Sequence, residues 1–121
     1  MKTYHIQVKD HPEYYLCIRN DGILCISTQS GLWSVEGGII KTPVPISIPI
    51  SIIIPKERLI VAYNEIPYTM EDGKIIIHSH MLNIFQNTLE NLQEVGLYDK
   101  EDSTFETQWV INEVEESKPK E

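Results

Sequence analysis

From Val44 to Ile54 every even position is apolar: Val44, Ile46, Ile48, Ile50, Ile52 and Ile54. The odd positions from 43 onward are Pro43, Pro45, Ser47, Pro49, Ser51 and Ile53. Three prolines break any helix, and a strict period of two belongs to extended chain. In an extended chain, residues of equal parity direct their N–H groups to the same lateral side. Pro43, Pro45 and Pro49 therefore remove donors from one side at three places, while the even side stays able to pair continuously. This predicts a proline-rich edge strand or arm over 43–55, its first half near polyproline geometry. An isoleucine-rich strand blocked along one edge is a contact element for another chain, by sheet extension or by packing its Ile face. Ile46, Ile48, Ile50 and Ile52 are its expected contact residues.

Isoleucine and valine together number 26 of 121 residues, against two phenylalanines, and β-branched side chains fit pleated sheet. An apolar share of 41% is too high for a wholly disordered chain and fits one domain over 1–114, with 115–121 as an acidic, polar tail. No run of about 18 uncharged apolar residues marks a membrane span, and no basic start with an apolar core marks a secretion signal. A cytoplasmic protein with no membrane contact is expected.

Charge is distributed unevenly. The formal net charge is −8. Residues 1–60 hold six basic and five acidic side chains, and residues 61–121 hold four and thirteen, so +1 and −9 make up the total. Such acidity repels nucleic-acid phosphates and steers a basic partner over roughly 8–10 Å at cellular salt. It also serves plain solubility. Glu90, Glu94, Asp99, Glu101, Asp102 and Glu106 are the candidates for covering a basic partner surface. The nearest approach to a nucleic-acid patch, Tyr14, Tyr15 and Arg19 with Lys9, reads better as sheet packing.

Local patterns supply several elements. Tyr4, Ile6 and Val8 alternate with His5, Gln7 and Lys9 as a half-buried strand, interrupted at Asp10, His11 and Pro12. Tyr14 to Arg19 and Ile23 to Thr28 form a hairpin around Asn20-Asp21-Gly22, the order a three-residue loop requires when its last residue is left-handed. That register pairs Ile18 with Leu24, Cys17 with Cys25 and Leu16 with Ile26, and it gathers the four aliphatic side chains on one face. Opposed cysteines satisfy disulfide geometry; in a reducing compartment they remain thiols packed as small hydrophobes. Gln29 to Gly38 reads as a loop or short strand carrying Trp33. Leu59 to Tyr63 reads as a short buried strand, and Ile66 to Met70 with Lys74 to Ser79 as a second hairpin around Glu71-Asp72-Gly73.

One helix is expected. Leu82, Phe85, Leu89 and Leu92 recur at three- and four-residue intervals, broadened by Met81, Ile84 and Val95. Ser79 supplies a cap and Gly96 a stop, so the helix spans about 80–95. After an acidic loop from Asp99 to Asp102, Thr104 to Val114 resumes a strand pattern with Phe105, Thr107, Trp109 and Ile111 on one face. The expected fold class is α+β: an antiparallel sheet of about five to seven strands packed against one main helix.

Chemistry has little to build on. His78 and His80, two apart in a strand, could offer two imidazoles to a divalent metal, with His5, His11 or Glu65 completing the set only if folding brings them close. Read structurally, His78 ends a strand and His80 begins the helix. No G-x-S-x-G elbow occurs, Gly37-Gly38 lacks the Lys-Ser/Thr of a phosphate loop, and no cofactor is expected. No catalytic residue is assigned. The leading expectation is a non-enzymatic protein-binding module. It is either a small acidic inhibitor or immunity-type protein that covers a basic surface, or a structural subunit of a larger, possibly viral, assembly joined through 43–55. The rival is a small metal-dependent enzyme or metal-binding domain using His78 and His80.

Overall fold

The computed structural model describes residues 2–44, 47–84, 89–99 and 107–114. Its strands in chain order are β1 (Thr3–Val8), β2 (His11–Ile18), β3 (Leu24–Ser27), β4 (Ser34–Glu36), β5 (Ile39–Lys41), β6 (Ile50–Ile54), β7 (Leu59–Tyr63), β8 (Ile66–Pro67), β9 (Thr69–Glu71), β10 (Lys74–Ile77), β11 (His80–Ile84), β12 (Gln93–Asp99) and β13 (Trp109–Val114). The architecture is all-β, a curled, largely antiparallel sheet resembling half a barrel. The expected α+β class is thereby corrected: among the described residues there is no helix.

The segment read as a helix instead supplies β11 and β12. Its supposed cap lies in a two-residue turn: His78 and Ser79 both adopt positive φ, 49° and 68°, and Ile77 pairs directly with His80. Turns of this mirror type follow the twist of the flanking strands but usually carry Asn or Gly, so His-Ser gave no turn signal. Beyond it, Met81, Leu82, Asn83 and Ile84 are all buried. A strand covered on both faces produces a continuous apolar run, and over so few residues that run also fits a helical stripe. Leu82 faces Leu97 and Ile84 faces Val95 across the ladder. Phe85 lies outside the described residues. Leu89 and Leu92 belong to the connection, where Leu92 takes φ 66°.

The first hairpin has the expected register, with Ile18 opposite Leu24, Cys17 opposite Cys25 and Leu16 opposite Ile26. Gly22 occupies the left-handed region at φ 88° and donates to the Arg19 carbonyl at 2.8 Å. The second hairpin is one loop residue shorter than expected: Glu71 pairs with Lys74 around Asp72 and Gly73, both at positive φ. At the N-terminus the interruption becomes a bulge. Val8 pairs with His11 but Gln7 with Tyr15, which leaves Pro12 where no ladder donor is needed.

The main sheet runs β13-β1-β2-β3-β12-β11-β10-β9, and its curl brings the ends of this series together. Trp109 donates its backbone N–H to the Gly73 carbonyl at 2.6 Å and its indole N–H to Leu82 at 3.0 Å. Two buried polar residues complete the closure. Thr107 N–H donates to Asn83 Oδ1 at 2.6 Å, and Ile84 N–H donates to Thr107 Oγ1 at 3.0 Å. A small second sheet, β4-β5-β8, is tied to β1 by paired backbone hydrogen bonds between Tyr4 and Trp33. The Trp33 indole is buried and donates to the Leu16 carbonyl at 2.7 Å. Isoleucines 6, 26, 40, 50, 52, 66, 75 and 77 fill the interior, each fully buried side chain contributing about 1.5–3 kcal/mol.

The proline-rich segment is not an edge strand. Pro43 and Pro49 precede β6, while Pro45 and Ile46 lie outside the described residues. β6 itself wedges into the fork where β3 and β12 diverge, bridged to Ile23 through Ser51 and to Gly96 through Ile53, and it pairs along its whole length with β7. Because the prolines stop before Ile50, none of them blocks this ladder. Burial of Ile50, Ile52 and Ile54 then favours the interior position.

Candidate functional site

The margin expected at 43–55 has moved one strand outward, to β7. Ser51 N–H donates to the Gly22 carbonyl at 2.8 Å, so the odd residues of β6 direct their amides away from β7 and the even ones toward it. The ladder partners of Ile50, Ile52 and Ile54 are Tyr63, Val61 and Leu59. Ile60 and Ala62 consequently direct their backbone N–H and C=O groups outward, and among the described residues no further strand pairs with β7. The edge consists of Leu-Ile-Val-Ala-Tyr, with no charge and no proline. Leu59 is 44% exposed and Ile60 60% exposed. Natural edges usually carry a lysine, a proline or a bulge to deter pairing, and this one has none within the strand.

Five apolar residues in a row resemble a buried core strand, yet only Val61 and Tyr63 of β7 pack partly against the core. The flanking polar clusters, Lys56-Glu57-Arg58 and Asn64-Glu65, delimit the strand but do not reveal which side is open. Of the isoleucines expected to meet a partner, Ile50 and Ile52 are fully buried, Ile48 is 43% exposed just before β6, and Ile46 lies outside the described residues.

The acidic candidates separate similarly. A cleft of about 390 Å³ lies over Gly96, with Arg19, Pro55, Glu90, Glu94 and Tyr98 in its walls. Arg19 Nη1 meets Glu94 Oε1 at 3.0 Å, and its Nη2 meets Asp21 Oδ2 at 2.6 Å. The hydrogen bonds from Arg19 hold the Asp21 carboxyl below its usual range, while the Asp21 hydrogen bond, the largest contribution, raises the Arg19 guanidinium above its own. Glu94 therefore shares one guanidinium with Asp21. Asp99 has partners within the chain too, with Lys56 Nζ at 3.8 Å and His80 Nε2 at 3.1 Å. Glu90 is exposed, and its backbone N–H donates to Gln93 Oε1 at 2.9 Å. Glu101, Asp102 and Glu106 lie outside the described residues.

His78 and His80 do not share a face. His78 is in the turn, where strand alternation fails, and its ring stacks on Tyr63 with centroids 5.7 Å apart and planes inclined by 15°. His80 Nδ1 lies 2.8 Å from the His78 carbonyl oxygen. With Asp99 on Nε2, both ring nitrogens of His80 face oxygen acceptors, and neither points at an open coordination position. Among the described residues no group of three or more His, Cys, Asp and Glu side chains is arranged to hold a metal ion.

The cysteines are free thiols. Burial pushes both above the usual thiol range, Cys25 to about 11 with a smaller contribution from Cys17. A thiol raised in this way is a poor nucleophile near neutrality. Comparison of the chain with protein-family models, with curated proteins and with solved structures gives no match.

Proposed function

We propose that this chain is a non-enzymatic protein-binding module that docks a partner strand along β7, in the manner of an assembly subunit. The observation that carries the reading is the outward-facing backbone of Ile60 and Ala62 on a strand free of charge and proline. A strand added there gains main-chain hydrogen bonds for affinity and takes its specificity from alternate side chains. The acidic-inhibitor form of the reading has less to draw on among the described residues, since Glu94 and Asp99 are paired internally with Arg19, Lys56 and His80.

Affinity capture at low and high salt tests this, with wild type beside Ala62→Pro and Ile60→Lys. Ala62→Pro removes an outward donor and leaves the β6 ladder bonds intact. Ile60→Lys places a charge on an exposed side chain. A partner that survives high salt with wild type and is lost with both variants supports the reading. A partner released by salt and indifferent to both variants would move the interaction to the acidic surface and defeat it.

A further inference from the structure

The same edge is self-complementary, and we infer that its occupant is the β7 of a second copy of this chain, paired antiparallel about a two-fold axis through Val61. The inference rests on the docking reading above and adds the identity and register of the partner. Identical edges brought together antiparallel form an isologous, closed contact.

Only registers that oppose outward-facing residues can form the ladder, so Ile60 and Ala62 restrict the choices. With Val61 facing Val61 of the second copy, Ile60 lies opposite the second copy's Ala62, and the two exchange both backbone hydrogen bonds. Symmetry repeats this at the other Ala62–Ile60 pair. Leu59 then faces Tyr63. All five positions of the strand are matched, apolar against apolar, with the large Ile60 set against the small Ala62. A shift of two residues one way places Arg58 on Ala62, and a shift the other way places Glu65 on Leu59. Both alternatives shorten the apolar match. On the outward face the contact continues into each copy's own sheet, because Ile53 is the β6 neighbour of Ile60 and Ser51 that of Ala62.

The flanks predict a salt response. The favoured register opposes Glu57 to Glu65 just beyond the strand ends, and each copy carries a formal charge of −8. Screening relieves both repulsions, so association strengthens as salt rises, unlike contact with a basic partner.

Sedimentation of the purified full chain supplies the first measurement. Twice the 14.0 kDa monomer mass, in a fraction that grows with salt, is expected for wild type, and the monomer mass for Ala62→Pro. Single-cysteine insertion supplies the second. Val61 opposes itself in a non-hydrogen-bonded pair, where Cα atoms stand about 4.5 Å apart and a disulfide fits. Val61→Cys therefore crosslinks under mild oxidation by oxidised glutathione, two thiols losing two protons and two electrons to the glutathione disulfide. Ile60→Cys, which faces Ala62, does not, and it controls for Cys17 and Cys25. Should Ala62→Pro fail to fold, Ile60→Lys gives the same reading on an exposed side chain. Monomer mass at every salt concentration, equal crosslinking at both cysteines, or dimers indifferent to the edge variants would each overturn the inference. If wild type is monomeric yet captures a different protein that Ala62→Pro loses, the docking reading stands and only the second copy is removed.

Discussion

Gly96 lies against Ile53 in a parallel bridge between β12 and β6, so closely that a Cβ on Gly96 would stand 3.0 Å from the Ile53 carbonyl oxygen and 3.1 Å from the Pro55 ring. The obstacle is partly backbone and cannot rotate away. Gly96→Ala is expected to destabilise the protein by about 1–3 kcal/mol, the usual range for overpacking. β6 is expected to show it first. Faster amide exchange at Ser51 and Ile53 than in β1 and β13 would locate the damage in the wedge; unchanged exchange would place the strain elsewhere.

The closure of the curl depends on Thr107. Its hydroxyl accepts the buried Ile84 N–H while its own N–H donates to Asn83. Thr107→Val keeps the shape but leaves the Ile84 donor without its acceptor, a loss of about 1–3 kcal/mol. A urea midpoint within a few tenths of a molar of wild type would show that the Thr107 hydroxyl is not needed to hold the curl.

The turn at His78-Ser79 gives a test of opposite sign. Ser79 holds φ 68°, a conformation that disfavours side chains other than glycine by about 1–2 kcal/mol. Ser79→Gly is therefore expected to raise stability by up to roughly 1 kcal/mol, discounted for the added freedom of the unfolded chain. Had Ser79 capped a helix, the same substitution would have been neutral or destabilising. Thermal denaturation separates the two signs, and His78 is left in place to keep its stack on Tyr63.

Alkaline pH acts on the buried thiols. In the unfolded chain a cysteine ionises near 9.0, whereas burial raises Cys25 to about 11 in the fold. The folded state retains its proton longer, so this contribution is fully present below pH 9 and is lost as pH rises toward 11, amounting to about 2–3 kcal/mol at the upper end. Urea titrations from pH 8 to 11 are expected to show a shallower decline for Cys25→Ala than for wild type. Parallel declines would mean that Cys25 is not the group responsible.

Where neighbouring residues alone decide the structure, the sequence was a sound guide. Asn20-Asp21-Gly22 determined its own turn and thereby the register of Cys17 with Cys25, because a glycine at positive φ and a strict alternation leave a single consistent pairing. At the second hairpin the sequence located the turn but not its register: Glu71 pairs with Lys74 around two residues where three were expected, and Ile66 pairs with Ile40 in the small sheet instead of joining the hairpin. The region around 80–95 was not legible in this way. His78-Ser79 makes a turn without turn residues, and burial on both faces removed the period that separates strand from helix.

What the chain determined by itself is a β-branched, turn-punctuated sequence whose hairpins close locally and whose acids concentrate in the second half. Tertiary structure alone decided which apolar strand is interior and which is left at the margin. Ile50, Ile52 and the residues of β7 look alike as sequence, and the difference arises because the fork between β3 and Gly96 admits one strand and excludes the next. Glu94 and Asp99 likewise became ion-pair partners within the chain only when folding brought Arg19 and Lys56 alongside, since charge pairing over a few ångströms depends on position in space rather than on order along the chain.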